Sequence, residues 1–264
     1  MLETADFVQN VEDLILAGND LYREYIDMDS IARQYLMDKV FMNSDAMLMS
    51  TYFYIDLNKD KIYAGPLWDC DRAIGLLFPD YNTPIDGAPN GMSAWYNAFY
   101  ADPEFYGIMR EVYVGLQSDF EHILKEDIDS YAEWIKASVE MDNVLYDHIP
   151  DSKKIGRYTN WNSYVRYLKY FLANRLNYLN DLWGVEGCEF QTSESTGEYH
   201  DVYFKMEDGT LIDKRRIMDG TCIEELPVLD EKLYSGWYFW HMKGEYSNLR
   251  PVYEDMVLYA RPVS

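Results

Sequence analysis

The chain has 264 residues, 48% of them hydrophobic and 16% aromatic, including 25 Tyr and 7 Trp. That is enough apolar side chain for the core of one large domain, or of a medium and a small one, and it excludes a disordered chain. The formal charge of −23 argues against a nucleic-acid partner and against an anionic membrane surface, since both are held by Lys and Arg.

The acidity is not a tail. Residues 185–264 carry 8 basic and 16 acidic side chains, and residues 1–184 carry 15 and 30. Three cysteines, Cys70, Cys188 and Cys222, are too few and too scattered for a disulfide framework or a Cys-x-x-Cys metal site, and one stays unpaired in a monomer. No apolar run reaches the length needed to span a bilayer. The opening Met-Leu-Glu-Thr-Ala-Asp lacks the basic and apolar regions of a signal peptide.

Taken in order, residues 3–17 set Phe7, Val8, Val11, Leu14 and Ile15 at helical spacing, with Thr4 as N-cap and Gly18 as stop. A second helix is expected from about Ser30 to Met42, capped by Asp29 or Ser30, with Ile31, Tyr35, Leu36 and Val40 on one stripe. It delivers the chain into Asn43-Ser44-Asp45. Residues 51–55 and 61–67, rich in aromatic and β-branched types, flank a polar turn at 56–60 and predict a β-hairpin. A hairpin brings its outer ends together, so Asp45 at the entrance and Asp69 and Asp71 at the exit are expected to face one another across a cleft.

Each of these acids also has a plainer reading. Asn-Ser-Asp is good turn chemistry, so Asp45 also reads as a cap or turn residue. Asp69 and Asp71 also read as solvated turn carboxylates with Trp68 in the core, although extended backbone would point both to one side. The turn Asp56-x-Asn58-x-Asp60 opens like a calcium loop, but Lys61 and Leu67 stand where Gly and Glu are required, which excludes it.

Residues 78–93, with Pro79, Pro84, Gly87, Pro89 and Gly91, form a loop that reads equally as a lid or as a surface connection. From Ala94 to about Asp147 the pattern is helical: Asp102-Pro103 supplies N-cap and N1, and Trp134, Ile135 and Val139 mark an amphipathic segment. After a polar break at 149–156, Tyr158 to Trp183 carries a stripe of Val165, Leu168, Leu172, Leu179 and Trp183. Arg157, Arg166, Lys169 and Arg175 lie off or beside the stripe and read as salt-bridge partners, Arg175 being the one to test as a phosphate ligand. Gly184 ends the helix, and beyond it short strands are expected at 201–206, 211–218, 236–238 and 256–260.

These residues resemble a known family. Asn43-Ser44-Asp45, the Ser-Thr-Tyr-Phe-Tyr run at 50–54, and Gly65-Pro66-Leu67-Trp68-Asp69-Cys70-Asp71 followed by Ala73 and Gly75 are similar to the CotH kinases, distant relatives of protein kinases. The similarity continues through Trp95, Ala101-Asp102-Pro103-Glu104-Phe105, Leu168, Lys169 and Arg175. The resemblance implies ATP-dependent transfer of a phosphoryl group to a protein hydroxyl, with Asp45 as the catalytic-base equivalent and Asp69, with Asp71, binding Mg²⁺ or Mn²⁺ on the nucleotide. It departs at Ser50, where a kinase-like loop often has an Asn for a second metal.

Downstream, Val202-x-Phe204, Asp208-Gly209, Asp219-Gly220-Thr221, Leu226-Pro227, Gly236-Trp237-Tyr238 and Glu254 to Ala260 resemble a Listeria-Bacteroides repeat of the InlB B type. Its Trp and Tyr residues read as its own small core. The implied fold is α+β: a mostly helical protein-kinase-like C-lobe with the hairpin at its site (1–184), a linker (185–198) and a small β-grasp-like repeat domain (199–264). Kinase chemistry also needs a phosphate-covering loop and a Lys–Glu pair, and the 44 residues before Asp45 read as helices with one glycine, so the catalytic domain is expected to be incomplete here. The alternative is a non-catalytic surface or secreted scaffold with a repeat stalk. Both resemblances imply an extracellular or cell-surface location in a bacterium, with substrate and partner unspecified. Other chemistry finds no motif: Gly-x-Ser-x-Gly and His-Glu-x-x-His are absent and the four His are scattered.

Overall fold

The computed structural model describes residues 2–46, 49–56, 61–75, 85–86, 93–146, 160–187, 189–239, 245–246 and 250–263. All but Asp56 of the expected turn at 56–60, most of the loop at 78–93 and the polar break at 149–156 lie outside them. Contacts divide the chain into two compact units, one of residues 1–74, 85–121 and 175–189, the other of residues 75–84, 122–174 and 190–264. This grouping sets residues 122–174 with the β-rich segment, unlike the division read from composition.

The first unit opens with α1 (Leu2–Leu16) and a 3₁₀ turn (Asp20–Glu24). Thr4 lies inside α1 and caps nothing, while Gly18 stops the helix in the left-handed region at φ 62°. Helix α2 spans Met28–Val40, two residues earlier than the cap residues suggest, because Asp27 is the N-cap and accepts from the Ser30 N–H at 2.9 Å. The start is pinned from outside: Ile26 bridges Ile62 of the hairpin, the Asp27 N–H donates to the Ile62 carbonyl and the Ile62 N–H to the Tyr25 carbonyl, each at 2.8 Å. The expected stripe of Ile31, Tyr35, Leu36 and Val40 is buried.

Helices α3 (Ala94–Ala101) and α4 (Pro103–Gly115) meet at Asp102, which caps α4 through the Glu104 N–H at 2.8 Å, as Asp-Pro spacing predicts. The same carboxylate accepts from the Tyr22 hydroxyl and from two Arg23 nitrogens at 2.7 and 2.9 Å. Rings pack the core: Tyr35 stands edge-on to Tyr96 and Phe105, and Phe99 stacks on Phe105. Arg175 is fully buried and donates to the backbone carbonyls of Lys39 and Ile85. Enclosed in this way, it is a core cross-link, and the phosphate-ligand expectation for it does not hold. A short α5 (Gln117–His122) closes this stretch.

The second unit contains a π turn (Ile123–Asp127), α6 (Ile128–Leu145) and a four-stranded sheet; α7 (Trp161–Trp183) begins in it, and Gly184 ends α7 at φ 59°. Strands β3 (Tyr199–Met206), β4 (Leu211–Met218), β5 (Tyr234–Tyr238) and β6 (Met256–Pro262) lie in the order β4-β3-β6-β5. The central pair is parallel, with Val202 opposite Met256, and the outer pairs are antiparallel. Alternation sends Val202, Phe204, Met256, Leu258 and Ala260 into a core with Trp237, which stands edge-on to Phe204 at 5.0 Å between ring centres. Arg166 pairs with Asp219 and Lys169 with Asp129, the salt-bridge role expected of both. Gly75 adopts φ 80°, and a Cβ there would meet the Tyr167 hydroxyl at 2.9 Å, so only glycine fits. Among the described residues no helix is long and apolar enough to cross a membrane.

Candidate active site

The site is built from the ends of one hairpin. Strands β1 (Phe53–Asp56) and β2 (Lys61–Ala64) pair antiparallel, Phe53 opposite Ala64 and Ile55 opposite Ile62. Tyr54 stacks on Tyr63 with ring centres 5.2 Å apart. The Gly65 N–H extends the pairing to the Tyr52 carbonyl at 2.9 Å.

Upstream, α2 ends and Met42 turns the chain at φ 53°. The Asn43 side chain then holds the turn in two directions: its Nδ2 donates to Asp38 Oδ1 at 2.9 Å and its Oδ1 accepts from the Asp45 N–H at 3.2 Å. Asp45 lies in a turn, as its plainer reading has it, and is 7% exposed. Its Oδ1 accepts from Arg72 Nη1 at 3.2 Å, and the neighbouring Ser44 hydroxyl donates to the Arg72 carbonyl at 3.0 Å.

Downstream, the chain after β2 returns to the same place. The Ile74 N–H donates to the Phe41 carbonyl at 2.6 Å, and the Ser50 hydroxyl donates to Asp69 Oδ2 at 3.2 Å. Entrance and exit are thus tied at Phe41–Ile74, Ser44–Arg72, Asp45–Arg72 and Ser50–Asp69. Asp45 lies against the residue that follows Asp71, and Asp69 against the residue five after Asp45. Asp69, Cys70 and Asp71 are exposed. Trp68 is 57% exposed and edge-on to Tyr52, itself 50% exposed; it is not the core residue of the plainer reading.

Backbone conformation singles out the same stretch. Met42, Ser50, Asp69 and Ile74 are the non-glycine residues at positive φ among the described residues, at 53°, 48°, 57° and 53°. Left-handed backbone is unfavourable for side chains with a Cβ, most of all for β-branched Ile74, and such strain gathers where a site needs groups aimed against local preference. Electrostatics converge there too: burial raises the Cys70 thiol, and the charges of Asp38, Asp69 and Asp71 raise it further. Both effects favour the neutral thiol over the thiolate, which is the nucleophilic form. Cys70 and Cys222 are free. Among the described residues, no group of three or more His, Cys, Asp or Glu is placed to hold a metal by itself.

With this geometry in hand, comparison with known families is decisive for the first part of the chain. A model of the CotH kinase protein family matches residues 4–179. The chain belongs to the CotH kinase family. No curated protein and no solved structure matches it. The CotH kinase match ends inside α7, so residues 180–264 lie outside it.

Sequence reasoning singled out Asp45, Asp69 and Asp71 in this CotH kinase but did not assign the roles of three residues around them. Arg72 had a visible signal, being the one basic residue between Lys61 and Arg110 in an acidic chain. Asp38 had none: on a helical wheel it is an ordinary polar position. Ser50 stood out only as a departure from the family pattern, whereas the structure gives its hydroxyl to Asp69.

Proposed function

We propose that this CotH kinase carries a phosphotransfer site of the protein-kinase type at the closed ends of its hairpin. Asp45 orients the hydroxyl of a protein acceptor, and Asp69 with Asp71 holds Mg²⁺ or Mn²⁺ on the phosphates of ATP. The observation that carries the reading is the tie between the two ends: Arg72 on Asp45 and Ser50 on Asp69 bring the acidic residues of entrance and exit into one neighbourhood. The donor set suits the metal. Mg²⁺ prefers hard oxygens, keeps several waters, and is commonly held by one or two carboxylates together with substrate phosphates rather than by an all-protein cage. Two exposed carboxylates without a third ligand meet that description. When bound, the metal neutralises charge on the phosphates; the chain's own part is to aim Asp45 at the acceptor and to hold Asp69 through Ser50.

Residues 199–264 are proposed as a β-grasp-like repeat module of the Listeria-Bacteroides type, with 185–198 as linker. The order β4-β3-β6-β5 with a parallel central pair supports this, as does a core of its own around Trp237. Location at a bacterial cell surface or outside the cell goes with the resemblance and is proposed with it. The test of function is transfer of label from γ-labelled ATP, with Mg²⁺ or Mn²⁺, to the chain itself and to added protein acceptors. Transfer that disappears in Asp45→Ala and Asp69→Ala but survives Asp213→Ala supports the kinase. Folded protein that neither responds to metal nor transfers phosphate supports the alternative, a scaffold displaying the repeat; a metal response without transfer supports the site in an incomplete catalytic domain.

A further inference from the structure

Asp38 is a carboxylate in the wrong place for stability. It sits on α2 at 2% exposure, and the partners found for it are neutral: Tyr96 Oη donates at 2.7 Å and Gln34 Nε2 at 3.2 Å to one oxygen, Asn43 Nδ2 at 2.9 Å to the other. The Asn43 N–H also donates to the Asp38 carbonyl at 3.0 Å. Burying an ionisable group among neutral donors is costly compared with an apolar residue of similar size. Burial accordingly raises the Asp38 carboxyl, and the hydrogen bonds from Tyr96, Asn43 and Gln34 only partly offset it.

What this arrangement achieves is orientation. A carboxylate accepts on both oxygens at once, so Asp38 is clamped by α3 through Tyr96 while its second oxygen fixes the Asn43 carboxamide. That fixes which end of the amide faces Asp45: Nδ2 is used by Asp38, and Oδ1 is left to receive the Asp45 N–H at 3.2 Å. An asparagine at 38 keeps one accepting end: with its Oδ1 on Asn43 Nδ2, its amide N–H groups face Tyr96 and Gln34, which must turn their oxygens to accept, and the clamp of three donors is lost. We propose that Asp38 is a positioning residue for Asp45, acting through Asn43 and braced by Tyr96 across 58 positions of sequence. The functional part of this inference rests on the reading of Asp45 above; the structural part does not.

The test uses the full chain labelled with ¹⁵N-Asp and follows the Asp45 amide resonance together with phosphotransfer. Asp38→Asn is expected to shift the Asp45 amide and speed its hydrogen exchange, and Tyr96→Phe, conservative and remote in sequence, to shift it in the same direction by less. Asp29→Asn, an exposed change on the same helix, is the control that leaves it in place. In the same variants turnover is expected to fall on the order of tenfold to a hundredfold, with KM for ATP unchanged, since a misplaced catalytic group costs the reaction step rather than nucleotide binding. An Asp45 amide unmoved in both Asp38→Asn and Tyr96→Phe would overturn the inference, whatever happens to the melting temperature. If Asp38→Asn fails to fold, Tyr96→Phe decides alone. A wild-type chain that neither responds to metal nor transfers phosphate sinks the functional reading, while the amide measurement still decides the positioning role.

Discussion

Asp219 shows how an acidic chain of this kind keeps a charge inside. At 1% exposure it accepts from Arg166 at 2.5 and 2.8 Å, from the Thr196 N–H at 2.9 Å, and lies 2.8 Å from His200 Nε2. Burial alone would raise this carboxyl, but the hydrogen bonds from Arg166, Thr196 and His200 outweigh it and hold it well below the usual carboxylate range. An acid depressed in the folded state stabilises the fold above its unfolded value, about 3.9 for Asp, and that contribution fades as pH falls through the folded value. Urea midpoints of the wild type and Asp219→Asn should differ most near neutrality and draw together below about pH 4; a gap independent of pH would contradict the assignment. Arg175 makes a second test, since Arg175→Met leaves the Lys39 and Ile85 carbonyls without this donor and should cost roughly 2–4 kcal/mol in urea unfolding. At this scale the sequence was only half legible. Arg166 and Lys169 were readable as ion-pair partners because carboxylates abound. Arg175 was not, because its partners are backbone carbonyls, which carry no sequence signature.

Elements were more legible than residues. The hairpin, the Asp102-Pro103 helix start, the Gly184 stop and all four strands of the sheet follow from local chemistry: β-branched and aromatic runs, a fixed φ at Pro, left-handed freedom at Gly. Where a start was displaced, a distant contact displaced it. Asp27, Asp29 and Ser30 are all competent caps, and the Ile26–Ile62 bridge selects Asp27. Asp27→Ala should therefore lower stability by about 1 kcal/mol, while the same change at Asp29 should cost far less; equal effects in thermal unfolding would contradict the placement. Helix α6 resisted reading for another reason. Periodicity marks Trp134, Ile135 and Val139 as an apolar face, yet Trp134 is 79% exposed and no residue of α6 is buried: the period shows that a face exists, not that anything covers it.

For the whole molecule, the contact grouping and the compositional boundary make different cuts, and proteolysis can compare them. Glu186 and Gly187 are exposed and outside any helix or strand, whereas Ser195 and Thr196 are tied to Asp219. Brief digestion should cut first near Glu186, and the nicked chain should elute as one particle, held by Arg166–Asp219, Asn160–Glu254 and Arg250–Tyr167. First cuts spread through 199–239 would contradict a folded β module.

The central claim is that the two ends of the hairpin form a divalent-metal site for phosphotransfer. Acidic groups held in one neighbourhood repel, and a cation that binds only the folded form stabilises it by mass action. The direct measurement is the melting temperature of the chain across a Mn²⁺ and Mg²⁺ titration, in the wild type, Asp69→Ala, Asp71→Ala and the distant Asp213→Ala. The account predicts a saturable rise that Asp69→Ala and Asp71→Ala diminish and Asp213→Ala preserves. No rise, or a rise equal in all four proteins, would contradict it.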